Sequence, residues 1–357
     1  MHQSADVLFA DCARSLSKSD TARLDPLRNS TLLITGGTGF VGLWLSVFAA
    51  FLNDKHNFGV EVVSTARRAG RLAEQAEFMQ GRADFRFIAA DIRQFMDIPT
   101  GTNWMIHAAG VPDSRHHASN PIETMSVIAQ GTDRILRLAE QAANLKAILH
   151  VSSSLVYGMQ PASIPALTED HHGVMAPPSV SNCYTEAKRY SETLCSAYRS
   201  QLRLPIIITR PFTFLGPFQS LDAPWAANNF LYAAVEGQPL KILGSGESLR
   251  TYLYGSDMAL LMLLQLVRGQ IGSIYNLGHT DVISLRDLAE LVVRQSGRRL
   301  EIRYNTAGRD VAISRLIPDM SKSIKEFGFT PAFMISDAIS QTLKWYGDGY
   351  HKKRSVA

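Results

Sequence analysis

A tyrosine and a lysine four residues apart, in Tyr184-Thr185-Glu186-Ala187-Lys188, form the pair in this chain best suited to move a proton. On a helix the two side chains share one face. An ammonium beside a phenol favours the phenolate and lowers a pKa that is ordinarily about 10. Tyr184 is therefore expected to act as acid or base near neutral pH. Upstream, Ala147-Ile148-Leu149-His150-Val151 reads as a buried strand that delivers Ser152, Ser153 and Ser154 at its C-terminal end. In a doubly wound sheet the ligand crevice opens at that end.

The elements that must position these groups begin at Thr31-Leu32-Leu33-Ile34-Thr35-Gly36-Gly37-Thr38-Gly39-Phe40-Val41-Gly42. An apolar run ends in a glycine turn and passes straight into an apolar helix, Leu43 to Leu52. That order is strand, phosphate loop, helix, the opening unit of a dinucleotide-binding fold. The glycines let backbone N–H groups approach a pyrophosphate whose charge the helix N-terminus favours. The loop reads as Gly-x-Gly-x-x-Gly from Gly37, and as Gly-x-x-Gly-x-x-Gly across Gly36, Gly39 and Gly42.

Alternation continues with strands at Val60–Thr65, Phe85–Ala89, Trp104–His107, Ala147–Ser152 and Pro205–Thr209. Helices are expected over Val41–Leu52, Ala69–Met79 and Pro121–Ala143 and around Tyr184, with a loop over Pro161–Ser181. The pattern predicts an α/β fold, a Rossmann-type doubly wound parallel sheet with helices on both faces and a smaller C-terminal substrate-binding lobe. Residues 1–29 form an N-terminal extension in which Val7, Leu8, Cys12 and Leu16 have helical spacing, so a short amphipathic helix packs on the body or a partner. Residues 30–216 are assigned to the dinucleotide-binding domain, with returning segments near 252–283. Residues 217–251 and 284–357 are assigned to the substrate lobe.

Composition narrows the class. A chain of 357 residues with 46% hydrophobic and 19% charged residues has the make-up of a globular enzyme. The net charge of +4 is small, part of it lies in the tail His351-Lys352-Lys353-Arg354, and no basic stripe with interleaved aromatics suggests nucleic-acid binding. Cys12, Cys183 and Cys195 show no metal or disulfide spacing, which predicts reduced thiols, no metal and a cytoplasmic protein. The apolar run Phe40 to Leu52 is shorter than the ~20 residues a bilayer span needs, and the N-terminus has no signal-peptide layout.

From about Ser30 to about Trp345 the chain resembles the short-chain dehydrogenase/reductase superfamily, in its extended branch of NAD(P)-dependent nucleotide-sugar epimerases, dehydratases and 4-keto reductases. The resemblance rests on the glycine loop, the Tyr184/Lys188 pair, Asp91-Ile92, His107-Ala108-Ala109 and Arg210-Pro211-Phe212-Thr213-Phe214-Leu215-Gly216-Pro217. Gly244-Ser245-Gly246 with Arg250-Thr251-Tyr252, and Pro318-Asp319 before Phe327-Gly328-Phe329-Thr330-Pro331, belong to the extended branch. It implies a cofactor held by Gly36, Gly39, Phe40, Val41, Gly42, Arg67, Asp91, Ile92, Ala108, Ala109 and Lys188. It also implies a nucleotide-sugar substrate and a homodimer built on the helices near Pro121–Ala143 and Tyr184–Tyr198. The second strand ends at Ala66-Arg67-Arg68 instead of an acid, which favours NADP over NAD; alternatively Arg67 stacks on adenine in an NAD site.

In the resembling family the working serine or threonine lies four residues before the tyrosine of Val-Tyr-Gly. Val156-Tyr157-Gly158 gives that role to Ser153, or to Ser152 or Ser154 if the turn is shifted. By the same resemblance Tyr184 exchanges the hydroxyl proton and Lys188 tunes it and binds the nicotinamide ribose. The family's 4,6-dehydratases carry Asp-Glu just after the serine and its decarboxylases keep the Glu, where this chain has Ser154 and Leu155. Leucine cannot transfer a proton, so dehydration and glucuronate decarboxylation are disfavoured, and the cysteine of the 3,5-epimerase-reductases is missing as well. Hydride transfer at the sugar C4 is what this leaves, with a 4-epimerase as the leading expectation. The alternatives are an NADPH-dependent 4-keto reductase, a reductase of a ketone without a nucleotide, and a non-catalytic dinucleotide-binding sensor. Arg250 is the candidate for the substrate diphosphate, with Thr213 and Asn229 beside the substrate. Ile128 and Thr213 each replace an Asn of the family pattern. His116-His117 and His171-His172 are placed in loops bordering the substrate, and Cys183 is read as a small buried helix residue.

Overall fold

The structure, a computed structural model, describes residues 2–173, 177–305 and 313–347. The basic tail and the centre of the Pro161–Ser181 loop lie outside them. Seven parallel strands form the main sheet. In chain order they are β1 (Thr31–Thr35), β2 (Glu61–Ala66), β3 (Phe85–Ala89), β4 (Thr102–His107), β5 (Ala147–Val151), β6 (Ile206–Pro211) and, last, Ile274–Leu277. Across the sheet the last strand is followed by β6, β5, β4, β1, β2 and β3. Chain order reverses between β1 and β4, which pair in parallel with Thr35 opposite His107. A crevice forms at such a switch point because the connections leave it toward opposite edges of the sheet.

Side-chain alternation assigns each face. Leu32, Ile34, Ile106 and Leu149 join one core, while Leu33, Met105 and Ile148 join the other. Helix α1 (His2–Leu16) leads the chain, and α2 (Phe40–His56) follows β1. Every residue of α2 from Gly42 to Leu52 is buried, as expected of a helix that is apolar all round. It runs one turn beyond the expected Leu52 and stops where Asn57 turns left-handed (φ 53°), with Lys55 and His56 beside its negative end. The helix expected over Ala69–Met79 is broken. A helix α3 (Gly70–Gln75) ends at Ala76 (φ −141°), and a 3-10 turn covers Glu77–Met79. So short a helix, begun on a glycine, has little propagation to offset its nucleation.

Helices α4 (Ser114–Ser119), α5 (Pro121–Ala139) and α6 (Cys183–Leu202) follow β4 and β5. From α5 come Ile135, Leu136 and Ala139, and from α6 Cys195, to the second core. Later come α7 (Ala226–Glu236) and α8 (Gly255–Arg268), and α8 packs against α2, α1 and the sheet. Small strand pairs support the C-terminal part: Leu249–Arg250 lies between Ile283–Ser284 and Arg315–Leu316. The N-terminal helix packs as its spacing implied, with Leu8, Cys12 and Leu16 in the core and Phe9 edge-on to Phe51 at 5.9 Å. No described helix is long and apolar enough to cross a membrane, and all three cysteines are free and buried.

Candidate active site

The glycine loop is shaped by close backbone approach. Gly36 has φ +73°, and a Cβ there would stand 2.6 Å from the Ala108 carbonyl oxygen. A Cβ on Gly42 would meet Gly37 Cα at 2.4 Å, so α2 and the loop pack backbone to backbone. Gly39 caps α2 without a side-chain hydrogen bond. The positive helix end, with Phe40 and Val41 in its first turn, is thus lined by main chain at the β1/β4 switch point. This surface fits the pyrophosphate of NAD or NADP. Across it, the Ala108 and Ala109 N–H groups donate to the Thr35 carbonyl and hydroxyl.

Just past the end of β3, Asp91 accepts from the Arg93 N–H and pairs with its guanidinium at 2.6 Å, which holds its carboxyl down at about 2. Arg93 also reaches Glu123, and Arg67 meets the same Glu123 at 3.3 Å. Ile92 is buried against Gly131, where an added Cβ would stand 2.6 Å from Ile92 Cγ2.

The three proton-handling candidates converge. Ser153, at the end of β5, caps the 3-10 turn Ser154–Tyr157 by accepting from Leu155 N–H at 3.2 Å, leaving its own hydroxyl proton to donate. It is a hydrogen-bonding neighbour of the Tyr184 phenol. Its neighbour Ser152 is committed elsewhere: its hydroxyl donates to Glu192 at 2.5 Å. Lys188 is buried, and its Nζ donates to the Val151 carbonyl at 2.7 Å and stands 5.9 Å from the Tyr184 ring centre.

The electrostatics differ from the expectation of a lowered tyrosine pKa. Burial pushes the Tyr184 phenol up to about 12, against the opposing hydrogen bond from Ser153. Burial also lowers Lys188 to about 8, opposed by the Glu192 carboxylate. Desolvation wins because Lys188 is bonded to a backbone carbonyl instead of the phenol.

A support network lies behind this trio. Glu192 is one turn past Lys188 on the same face of α6 and takes a two-point contact from Arg210, at 3.0 and 2.7 Å. Arg210 covers the Tyr157 ring at 4.7 Å, and the Tyr157 hydroxyl donates to Asn276 at 2.7 Å. The turn carrying Ser153 is thereby tied to α6 and to the outer strand Ile274–Leu277. The 184, 188, 192 spacing was a legible signal for Glu192; nothing local pointed to Asn276. Two histidines sit beneath the site on adjacent strands, His107 and His150, with ring centres 5.5 Å apart. Burial drives His107 down to about 3 and lowers His150 as well, so both are neutral.

The histidine pairs part company. His116 and His117 lie on α4, not in a loop, because Asp113 caps a short helix there. His117 stacks on Tyr184 with ring centres 4.4 Å apart. His171 comes 6.2 Å from the Tyr157 ring centre, and His172 is exposed. Cys183 is buried with its thiol toward the His117 carbonyl.

On the short strand Leu249–Arg250, Arg250 donates to the Leu249 and Ser314 carbonyls and to the Ser314 hydroxyl. No carboxylate among the described residues pairs with it. The Thr213 hydroxyl donates to the Thr251 carbonyl. Asn229 is exposed on α7, while its neighbour Asn228 is buried and bonded to the Ser220 carbonyl. Ile128, in place of the family's Asn, is buried with Tyr184 and Ala187.

A parallel switch-point crevice with a tyrosine, lysine and serine at its edge defines a dinucleotide-dependent enzyme fold of the short-chain dehydrogenase type. Residues 32–278 match the NAD dependent epimerase/dehydratase family, and the chain belongs to it, in the extended branch of that superfamily. UDP-glucuronic acid decarboxylase 1 of Xenopus tropicalis is 28% identical over 340 residues, covering 93% of this chain and 77% of that protein. The dTDP-glucose 4,6-dehydratase of Streptomyces niveus is 25% identical over 324 residues, covering 89% and 93%. Among solved structures, UDP-glucuronic acid 4-epimerase of Bacillus cereus, with NAD, shares the fold at TM-score 0.76 and 22% identity, covering 89% of this chain and 99% of that one.

These relatives overturn one expectation. Leu155 stands where an acid is usual, which by itself disfavours decarboxylation and dehydration. Decarboxylases and a dehydratase are nonetheless what the chain resembles along most of its length, so in this chain Leu155 does not disfavour those reactions. Chemistry gives the reason for decarboxylation: once C4 is a ketone, a C6 carboxylate belongs to a β-keto acid, and the carbonyl takes up the electron pair as CO2 departs. Leu155 itself is half-exposed at the rim, and its backbone N–H serves Ser153.

Proposed function

We propose that this protein oxidises C4 of a nucleotide-linked sugar, and that its substrate is a UDP-linked uronic acid. The observation that carries the reading is the convergence of Ser153, Tyr184 and Lys188 at the open end of β5, beside a main-chain cradle for a dinucleotide. The decarboxylase relatives support the uronic acid. When bound, the nicotinamide supplies the hydride acceptor and, in its oxidised form, a positive charge that favours the phenolate. Tyr184 takes the proton of the C4 hydroxyl, Ser153 donates to that oxygen, and Lys188 holds the ribose and the phenolate charge. Arg250, free of acid partners among the described residues, takes the diphosphate. The same C4 oxidation opens both C4 inversion and loss of CO2, and the product tells which follows.

For the cofactor, we infer that Arg67 accepts a 2′-phosphate, so that NADP binds at least as well as NAD. Its partner Glu123 is also held by Arg93, so Arg67 can turn to a ligand without stranding a carboxylate. We infer a homodimer through α5 and α6, where Ile122, Met125 and Tyr190 are exposed.

The test is incubation of the purified protein with UDP-glucuronic acid and NAD or NADP, with mass spectrometry of the nucleotide sugars and trapping of CO2. A C4 epimer, or a pentose with CO2, is expected from the wild type and not from Tyr184→Phe. Equal turnover by Tyr184→Phe, or none with any nucleotide uronic acid, would sink the reading.

A further inference from the structure

Tyr184 sits in the first turn of α6, which follows directly on the 3-10 turn Val180–Asn182. Asn182 occupies the cap position without a side-chain hydrogen bond to the helix. A phenol that must meet a hydroxyl within hydrogen-bonding distance needs its ring held from outside, because a displacement of about 1 Å costs about 100-fold in rate. On one side Ile128 and Ala187 pack against it. Against a face of the ring lies His117, with ring centres 4.4 Å apart and planes inclined by 13°.

His117 is itself fixed at two points. Its Nε2 lies 2.6 Å from the Val111 carbonyl oxygen. A carbonyl only accepts, so Nε2 carries the proton, and this bond sets the plane of the imidazole. The Cys183 thiol points to the His117 carbonyl at 3.7 Å, joining α4 to the residue just before Tyr184. Imidazole serves here because it presents an aromatic face while its edge bonds to main chain. A leucine would offer neither, and a phenylalanine would offer the face alone.

We propose that His117 is a positioning residue for proton transfer, the ring that clamps the Tyr184 phenol against α5 and α6. This rests on Tyr184 being the proton-exchanging group. The ionisable groups beside the phenol are Lys188 of α6, 5.9 Å from the ring centre, and His117 of α4. Asp113 and Arg115 of α4 are paired with each other, and Glu123 of α5 is paired with Arg93.

The experiment compares His117→Leu and His117→Phe in the cofactor-loaded protein. His117→Leu should lower kcat by about 10- to 100-fold with KM changed by less than about 2-fold, and His117→Phe should recover most of the loss. A second readout needs no turnover: the ultraviolet titration of the phenolate, isolated by subtracting Tyr184→Phe. In the cofactor-free wild type, burial holds that phenol up at about 12. A truncation, His117→Ala, uncovers it and should bring it toward its ordinary value near 10, whereas His117→Phe should not. Wild-type kcat in His117→Leu or a wild-type titration in His117→Ala would overturn the proposal, as would equal losses of kcat in the Leu and Phe variants or a fall in melting temperature alone. If the wild type turns over no nucleotide sugar, the functional reading fails, while the titration still decides whether His117 clamps Tyr184.

Discussion

Beneath the crevice, burial acts on bases; beneath the N-terminal helix it acts on acids. Under β4 and β5, His107, His150 and Lys188 are all pushed toward their neutral forms. Under α1, Asp11 is raised to about 7 and Asp257 to about 6, again chiefly by burial. Asp11 accepts from the Tyr254 hydroxyl at 2.7 Å, and Asp257 accepts from the Ala332 and Phe333 N–H groups. Ser15 meets Ser256 at 2.8 Å, and Arg14 pairs with Asp337 and covers Phe333. The first region keeps Ser153 and Tyr184 at the edge of a crevice; the second is sealed and joins α1 to α8 and to the segment before the last helix. Burial of charge therefore marks a site of chemistry only where the groups also meet an opening.

The sharpest test of that contrast is to remove one hydroxyl from each region. Tyr184→Phe should lower kcat by about 10²- to 10⁴-fold with the fold and cofactor affinity unchanged, whereas Tyr254→Phe should leave kcat near wild type. Steady-state kinetics beside a cofactor titration checks both. Next in size, Leu8→Ala in the α1 seam should cost about 2–5 kcal/mol of stability in urea unfolding, with kcat unchanged at permissive temperature. A fall in kcat at constant stability would join the seam to the catalytic region.

The two regions also predict opposite slopes of stability against pH. His107 is held near 3 in the fold, below its ordinary 6.5, so the unfolded chain binds the extra proton. Stability from this group falls as pH drops from 6.5 toward 3. Asp11, at about 7 in the fold, binds its proton there more readily than the unfolded chain, so its contribution is lost as pH rises from 3.8 through 7. Asp11→Asn keeps an acceptor for Tyr254 and removes the titration, so it should stabilise the protein by about 1–2 kcal/mol at pH ~8 and have little effect at pH ~4. Thermal melts across that range measure it. The smallest effect is at the surface: Arg67→Ala should weaken NADP by about 10-fold, near 1.4 kcal/mol, and leave NAD within about 2-fold by fluorescence titration.

Much of the crevice was legible because its signals are local. A glycine turn between an apolar strand and an apolar helix, and a tyrosine and lysine one helical turn apart, state their own geometry. Asp91 and Arg67 are legible at strand ends by the same logic, and the Asp91–Arg93 pair is local, but Glu123 meets Arg93 and Arg67 across 30 and 56 positions and leaves no local trace. Leu155 shows the opposite limit: one substituted position disfavours reactions whose enzymes the rest of the chain resembles.

The sequence by itself determined the alternation of strand and helix, the phosphate loop, the shared face of Tyr184 and Lys188, and the apolar stripe of α1. Each follows from side-chain period and backbone sterics within a few residues. The tertiary structure alone decided that His117 stacks on Tyr184 and that Ser152 is taken by Glu192. It also decided that the tyrosine is raised in pKa instead of lowered. These depend on which distant surfaces exclude water from a group and which donors remain beside it, and desolvation is a property of the packed chain.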